Sequence, residues 1–322
     1  MTDDKSVYSG QKKKRINQNE FKKITFCILV LAVPILQVII MYFCVNVNSI
    51  LLAFKRYSQD STGKLSFVWC GFDNFKTFLD IVFSSGGALK KGFYNSLILA
   101  GVTFFVGVSF ALLFSYYIYK KRFGYRVFNV LLFVPSIVSS IVMVILFSYF
   151  VDRAIPAVFM KLFNTRVVGL LSSPNSSDIF RTLIIFCLWT GFGTNVLMYS
   201  SAMSRIPPEI VEAAQIDGCG SVSEFFKITL PLIYPTISTF LVVNIAGVFS
   251  NSAGLFSFFG EKANPELWTI GYWFFIQTLA GRSSFTALPV PAAGGLVFTL
   301  FVAPITLIIR YVLNKFDPQV EF

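Results

Sequence analysis

The sequence contains no histidine, and only 13% of its 322 residues are charged. A soluble globular domain carries about 25% charged residues, so this composition is typical of an integral membrane protein. Hydrophobic residues make up 55% of the chain, and the mean hydropathy is +0.69. The five cysteines show neither a CxxC pair nor metal-ligand spacing, which excludes a disulfide framework and gives no metal site.

Sequence signatures of catalysis are also missing. No G-x-x-x-x-G-K-[ST] phosphate-binding loop occurs in the chain, and no nucleophile–base pair is recognisable. We therefore predict that the protein is not an enzyme and has no catalytic residue. The net charge of +11 does not indicate nucleic-acid binding, because the basic residues flank apolar segments, where they suit anionic lipid headgroups.

Six charge-free apolar runs are long enough to cross a bilayer, which requires about 20 residues per helix. A shorter run at 267–280 (LWTIGYWFFIQTLA) predicts an interfacial or re-entrant helix. The sequence thus predicts an all-α polytopic membrane protein with six transmembrane helices. The predicted spans cover residues 24–54, 92–119, 127–151, 182–204, 228–260 and 283–309.

The distribution of lysine and arginine predicts that both termini are cytoplasmic. In that orientation the inner segments hold 15 of these residues and the outer segments hold 12. The bias rests mainly on the basic arm QKKKRINQNEFKK and the tight loop KKRFGYR. We predict a basic cytoplasmic arm over 1–23, a membrane domain over 24–314 and a short cytoplasmic tail over 315–322.

None of the six runs contains Asp, Glu, Lys, Arg or His. Carriers driven by protons or ions usually place such groups inside the membrane, where they mark the transport path. Their absence disfavours a secondary carrier or channel without excluding it, because backbone carbonyls can also coordinate Na⁺. It favours an external energy source and an uncharged cargo.

The segment between the fourth and fifth runs, residues 205–231, predicts a cytoplasmic helix–turn–helix. The Ile-Pro-Pro at 206–208 ends the fourth span, and a short helix follows over 209–216. Asp217 and Gly218 end that helix, with Gly218 at a position that suits a positive φ angle. Ser221 and Glu224 have the spacing of a capping box for a second helix.

This segment closely resembles the EAA loop of permease subunits in binding-protein-dependent ATP-binding-cassette (ABC) importers. The match comprises Glu212, Ala213, Ala214, Asp217, Gly218, Ile228, Thr229, Leu230 and Pro231. Cys219 stands where the family usually has alanine. In that family the loop docks into a cleft of the ATPase subunit as a coupling helix, so the resemblance implies that role for these residues.

Weaker resemblance extends along most of the chain. GFDNF at 71–75 and FYNS at 93–96 are similar to the entry motifs of the sugar-importing branch, and residues 134–151 and 188–210 are similar to its third and fourth spans. The order of these features is most like the first permease of maltose-, lactose- and glycerol-phosphate-type systems. Residues 251–292 depart from the pattern and lack its Gly-Gly-Pro.

The resemblance implies a subunit of an importer in a bacterial cytoplasmic membrane. Its implied partners are a second permease, two ATPase subunits, an extracytoplasmic solute-binding protein, membrane lipid and a carbohydrate, with no nucleic acid. It implies no cofactor on this chain, since ATP and Mg would be bound by the ATPase subunits.

The resemblance also places a sugar near the middle of the membrane, on the spans that flank the EAA loop. Aromatic and amide side chains there suit a neutral sugar, although polar residues between membrane helices commonly serve packing. An ABC permease for a non-sugar cargo remains the alternative. The candidates for the substrate path are Trp189, Gly191, Thr194, Asn195, Tyr199, Asn244, Phe249, Ser250 and Asn251.

Overall fold

The computed structural model describes residues 18–59, 65–84 and 87–318. The chain divides into two compact units, Met1–Leu52 and Ala53–Phe322. Residues 1–17 of the predicted basic arm, including its KKKR run, and residues 319–322 of the predicted tail lie outside the described residues.

The described chain is mostly helical, with several α-helices joined end to end by π-helical turns. The α-helices are α1 (Gln18–Gln37), α2 (Val45–Ala53), α3 (Asp73–Phe83), α4 (Ala88–Val102), α5 (Val108–Tyr119), α6 (Tyr125–Ile137), α7 (Ser140–Tyr149), α8 (Ile155–Phe163), α9 (Ser176–Met203), α10 (Pro208–Ile216), α11 (Ser221–Glu224), α12 (Leu230–Leu232), α13 (Tyr234–Ala246), α14 (Leu255–Phe259), α15 (Ile270–Ser283) and α16 (Pro289–Lys315). The π-helical segments are Val38–Cys44, Thr103–Gly107, Phe150–Ala154 and Phe225–Thr229, and 3₁₀ turns occupy Gly260–Lys262, Pro265–Leu267 and Phe285–Ala287.

Five helices of the described residues are long and apolar enough to cross a membrane. A sixth is obtained if the bent pair Ser221–Leu232 and Tyr234–Ala246 is counted as one span. The expectation of a polytopic helical membrane protein is therefore confirmed. The five are Thr25–Ala53, Leu89–Tyr119, Ser140–Phe163, Ser176–Met203 and Pro289–Lys315.

The third predicted run, 127–151, is not one helix. It contains most of α6, then an extended break at Val138 (ψ 143°) and Ser139 (ψ 135°), and then the whole of α7. Pro135 inside α6 has no N–H to donate, and the hydroxyl of Ser136 bonds back to the carbonyl of Phe133. Hydropathy could not reveal this break, because every residue around it is uncharged.

The fifth predicted run, 228–260, is also interrupted. Its helical axis bends by 70° at the break between α12 and α13, which is flanked by Pro231 and Pro235. Helix α13 ends at Ala246, well before residue 260, and the chain then turns into α14. The sixth predicted run, 283–309, begins six residues before α16, which extends to Lys315.

A short β-hairpin was not part of the all-α prediction. Strands β1 (Lys55–Gln59) and β2 (Leu65–Trp69) pair antiparallel, with Lys55 opposite Trp69. The Asn74 side chain of the GFDNF motif donates to the carbonyls of Ala53 and Lys55, each at 2.8 Å. This asparagine, which is 5% exposed, therefore fixes the start of the hairpin against α3.

The segment 251–288, which the sequence assigned to the ends of two spans and a short helix between them, is folded tightly against α4. The buried Asn95 of the FYNS motif donates to the carbonyls of Glu266 and Trp268, each at 2.9 Å. The adjacent Ser96 hydroxyl accepts from the backbone N–H of Ile270 at 2.9 Å. The predicted short helix at 267–280 is present as α15.

Helix α9 lies at the centre of the second unit, where it packs against α5 and α6. A Cβ atom at Gly193 would lie 2.8 Å from the carbonyl oxygen of Leu132, so glycine permits the close approach of α6. The Ser115 hydroxyl of α5 donates to the carbonyl of Val196 at 3.0 Å. Small and hydroxyl-bearing residues thus hold these helices together, as is usual in membrane bundles.

We predict that Asn95→Ala loosens segment 251–288. The substitution leaves two carbonyls without their donor, which should lower the free energy of unfolding by about 1–3 kcal/mol. The unfolding midpoint in detergent should fall, and protease should cleave the segment sooner. Asn314→Ala, at an exposed position near the end of α16, is the control. Equal midpoints for the two variants would contradict this role of Asn95.

Candidate functional site

The EAA segment forms a compact element that is anchored to the bundle by one buried face. Helix α10 begins with Pro208 in its first turn, where the missing N–H leaves no bond unmade. Val211, 8% exposed, faces a cluster that contains Met203, Ile206, Phe225 and Ile233. This cluster fixes α10 relative to α9 and to the helices that follow it.

Helix α10 ends in a Schellman motif. The N–H of Gly218 donates to the carbonyl of Gln215 at 3.1 Å, and the N–H of Cys219 donates to the carbonyl of Ala214 at 2.9 Å. Gly218 has a φ angle of +78°, as its place after Asp217 predicted. The motif reverses the chain and leads it into α11.

The opposite face of α10 is open to the surroundings. Glu212, Ala213 and Asp217 are exposed on it. The resemblance did not single out Ile216, which is 87% exposed, or Val222, which is 73% exposed. Helical periodicity could have predicted that Ile216 is exposed. It lies five residues after the buried Val211, which places it about 140° around the helix axis from that residue.

The remaining EAA residues lie partly inside the element. Ala214, Ile228, Leu230 and Pro231 are half-buried, and Leu230 packs on the cluster around Met203. Of the nine matched positions, four on α10 and its turn are therefore exposed, Ala214 is half-buried, and the four at 228–231 are more enclosed.

The predicted capping box between Ser221 and Glu224 is wrong. Helix α11 begins after Gly220 without a side-chain cap. The Glu224 carboxylate instead accepts from the ammonium of Lys120 at 2.7 Å, and the Ser221 hydroxyl accepts from Arg122 at 3.1 Å. A charge-assisted bond to a lysine is stronger than a bond to a backbone N–H, and sequence spacing could not show that this lysine lies nearby.

Two of the substrate-path candidates lie in one groove. Asn244 and Asn251 line it together with Leu97, Gly101 and Thr103 of the facing helix, and its volume is about 390 Å³. We call it the α4–α13 groove. The described residues that line it are all uncharged. Amide and hydroxyl groups on an otherwise apolar wall can exchange hydrogen bonds with a neutral polar ligand.

The other candidates are dispersed. Trp189 lines a separate apolar groove beside Phe147, and Tyr199 is buried among Ala111 and Val196. Phe249 stacks on Phe93 with the ring centroids 5.3 Å apart. Outside these three sites, Thr194 and Ser250 are exposed, Gly191 and Asn195 are half-buried, and none of these four lines the α4–α13 groove.

Comparison with known proteins identifies the family. Residues 103–322 match the family described as binding-protein-dependent transport system inner membrane component. The chain belongs to this family. The resemblance to ABC importer permeases is thereby confirmed, and the chain is a component of a transport system and not an enzyme. This membership decides against the secondary-carrier alternative.

Curated relatives carry names from sugar transport. The chain is 28% identical over 244 residues to the arabinooligosaccharides transport system permease protein AraP of Halalkalibacterium halodurans, which covers 74% of this chain and 73% of the relative. It is 24% identical over 257 residues to the multiple sugar-binding transport system permease protein MsmF of Streptococcus mutans, covering 79% and 83%.

Solved structures share the fold. A chain of a bacterial ABC transporter involved in the import of the acidic polysaccharide alginate matches with a TM-score of 0.74 and 19% identity, covering 93% of this chain and 98% of that one. A second structure, of a bacterial alginate ABC transporter in complex with alginate pentasaccharide-bound periplasmic protein, matches with a TM-score of 0.70 and 19% identity, covering 94% and 97%. At this identity the likeness establishes the fold alone.

The turn after α10 provides a matched pair of glycines for a test. A Cβ atom at Gly218 or at Gly220 would meet no atom within 4 Å, but only Gly218 has a positive φ, whereas Gly220 has a φ of −73°. We predict that Gly218→Ala destabilises the turn by about 1–2 kcal/mol, because an L-residue is strained there. Gly220→Ala should be nearly neutral.

Hydrogen exchange of the amides at 218 and 219 is the measurement for this pair. Faster exchange in Gly218→Ala alone would confirm that the Schellman turn depends on the left-handed glycine. Equal exchange in both variants would contradict it.

Proposed function

We propose that this chain is the membrane-spanning subunit of an ATP-driven importer for a neutral sugar or oligosaccharide. It forms the translocation path together with a second permease. An extracytoplasmic binding protein delivers the cargo, and two separate ATPase subunits bind ATP and Mg. The family membership supports the assignment as an importer component. The exposed face of α10 is the observation that supports its proposed coupling to the ATPase subunits.

In this proposal α10 and its turn lie on the cytoplasmic side. The weak excess of lysine and arginine in the segments on that side supports the orientation. The N-terminus and the C-terminus are then also cytoplasmic, and segment 251–288 lies on the outer side, where the binding protein arrives.

The chemistry of the exposed α10 face suits a protein partner with basic and apolar groups. Glu212 and Asp217 supply negative charge, which sets the orientation of docking more than its affinity. Ala213 permits close approach, and Ile216 presents a branched side chain that is 87% exposed. When a partner covers an apolar side chain that is exposed in the free chain, the loss of apolar surface to water stabilises the complex. In our proposal Glu212, Ala213, Ile216, Asp217 and Gly218 contact the ATPase subunit.

The cargo assignment rests on the α4–α13 groove. Its lining offers the amides of Asn244 and Asn251 and the hydroxyl of Thr103 on an uncharged wall. Such a wall suits the hydroxyl groups of a neutral sugar better than a polyanion or a polycation, since a charged cargo would enter an uncompensated apolar site. We propose that the second permease covers the open side of this groove. For the other candidate residues, contact with the cargo remains a prediction from the sequence.

We predict that Ile216→Ser weakens the association with the ATPase subunits. Loss of an apolar group at the centre of an interface typically costs about 1–3 kcal/mol, which corresponds to roughly 5- to 150-fold in affinity. The measurement is the number of ATPase subunits that remain with the tagged permease, purified from its native membrane and quantified by mass spectrometry.

Val168→Ser is the matched control, because Val168 is also exposed (61%) but lies between α8 and α9, on the predicted outer side. It should retain the ATPase subunits. If Ile216→Ser and the further variant Glu212→Lys both kept their ATPase subunits and their uptake rate, the coupling role of α10 would be refuted.

For the cargo, we predict that Asn244→Ala raises the KM for uptake by about 2- to 10-fold. This factor corresponds to the free energy of one neutral hydrogen bond. Thr239→Ala is the control, since Thr239 is exposed on the same helix and does not line the groove. An unchanged KM in Asn244→Ala would remove Asn244 from the path.

The ligand of the solute-binding protein that works with this importer distinguishes a sugar cargo from a non-sugar cargo. A thermal-shift screen of that protein should show stabilisation by neutral oligosaccharides. Stabilisation by a polyamine or a phosphate ester, and by no saccharide, would contradict the sugar assignment while leaving the importer role intact.

A further inference from the structure

An enclosed ion pair joins the end of α5 to Glu224, the last residue of α11. Lys120 directly follows α5, and its ammonium donates to Glu224 Oε2 at 2.7 Å. The Glu224 side chain is 2% exposed and the Lys120 side chain is 15% exposed. Elsewhere in the described chain, the ion pairs Lys91–Glu266 and Arg181–Asp178 are much more exposed. This one therefore holds its two charges in a fixed geometry.

Further contacts reinforce the same connection. The Tyr116 hydroxyl donates to the carbonyl of Ser221 at 2.8 Å, and Arg122 donates to the Ser221 hydroxyl at 3.1 Å. The rings of Tyr116 and Phe225 lie 4.9 Å apart, centroid to centroid. We call these contacts, together with the Lys120–Glu224 pair, the α5–α11 joint.

The joint also shares the buried cluster that supports α10. Tyr116 and Tyr119 of α5 pack on the cluster that contains Val211 and Phe225. Helix α10, helix α11 and the end of α5 are therefore packed as one block. Interiors packed in this way move as units and do not deform gradually.

The two helical segments that carry the walls of the α4–α13 groove both reach this joint. One wall, with Leu97, Gly101 and Thr103, belongs to the continuous helix Leu89–Tyr119, which ends one residue before Lys120. The other wall includes Asn244 of α13, which follows α11 and α12 across the 70° bend. A displacement of α10 is thus passed to both walls through one block.

We propose that Lys120 and Glu224 are positioning residues that keep the α5–α11 joint closed throughout transport, so that movement of α10 displaces both walls of the groove together. The inference rests on the proposed function, because it assumes that ATPase subunits move α10. It adds a specific pair of side chains, outside the EAA match, through which that movement reaches the helix Leu89–Tyr119.

The charges themselves suit this role. Removal of one partner leaves the other charge enclosed and unpaired, which favours separation of the two helices, whereas an exchange of the two charges preserves the attraction. A pair that only stabilised the fold would change the amount of protein in the membrane. A pair that transmits movement changes the amount of ATP hydrolysed for each sugar imported.

The test measures ATP hydrolysed per sugar imported by the complete importer in liposomes. We expect Glu224→Gln and Lys120→Met to raise this ratio by about 5-fold or more, in the range of ordinary coupling free energies. The exchange Lys120→Glu with Glu224→Lys should return it towards the wild-type value. Arg181→Gln, which removes an exposed ion pair, is the control and should leave the ratio unchanged. Wild-type ratios in both single variants would overturn the proposal.

A cross-link decides whether the joint stays closed or opens during the cycle. Lys120→Cys and Glu224→Cys are combined in a chain whose five native cysteines are replaced. Without a cross-linker this variant should resemble Glu224→Gln. A short bis-methanethiosulfonate should then restore coupled import, and a reducing agent should abolish it again. If the cross-link stops import, the joint must open in each cycle and the proposal is wrong.

The number of bound ATPase subunits separates this inference from the proposed function. Variants of Lys120 and Glu224 should retain them, because α10 keeps its exposed face, whereas Ile216→Ser should lose them. If Ile216→Ser behaves as predicted and the Lys120 and Glu224 variants keep a wild-type ratio, only the joint is refuted.

Discussion

The structure depends on one constraint, which is that backbone polar groups within an apolar bundle must find partners inside the protein. Continuous helices meet it automatically, so the interesting positions are those where a helix stops. At two of them a buried asparagine donates hydrogen bonds to the backbone. Asn74 bonds the carbonyls of Ala53 and Lys55, and Asn95 bonds those of Glu266 and Trp268. Each amide satisfies two carbonyls that lie two residues apart. Irregular segments next to the spans can therefore be held in one conformation without exposing their backbone.

The same constraint explains how far the sequence could be interpreted. Long apolar runs predicted most spans, because hydropathy directly reports the cost of placing a residue in lipid. The break at Val138 and the bend after Leu232 were missed, since both lie among uncharged residues and arise from backbone geometry near proline. The pairing of β1 with β2 was missed, and so was the bond from Asn74 that fixes the start of β1, because it joins separate elements.

At the candidate site, local signals were reliable and long-range ones were not. The turn at Gly218 followed from its neighbours, since a Schellman motif is determined by a few consecutive residues. The capping box at Ser221 failed, because Lys120 lies about a hundred positions away in sequence and still reaches Glu224. The exposure of Ile216 became evident only when Val211 was known to be buried. The EAA resemblance drew attention to the segment, but it could not show which of its residues face outward.

Charge placement ties these observations to transport. The spans were predicted to be free of charged residues. The structure places Lys120 just after the end of the helix Leu89–Tyr119 and Glu224 near the start of the bent span. An ion pair deeper among the helices would carry a larger desolvation cost, while a fully exposed one would be weak and screened by salt. At the boundary the pair is enclosed enough to keep a fixed geometry. It also lies next to the buried cluster that supports α10. The groove is thus left uncharged, and in our proposal the force that acts on its walls enters at one end.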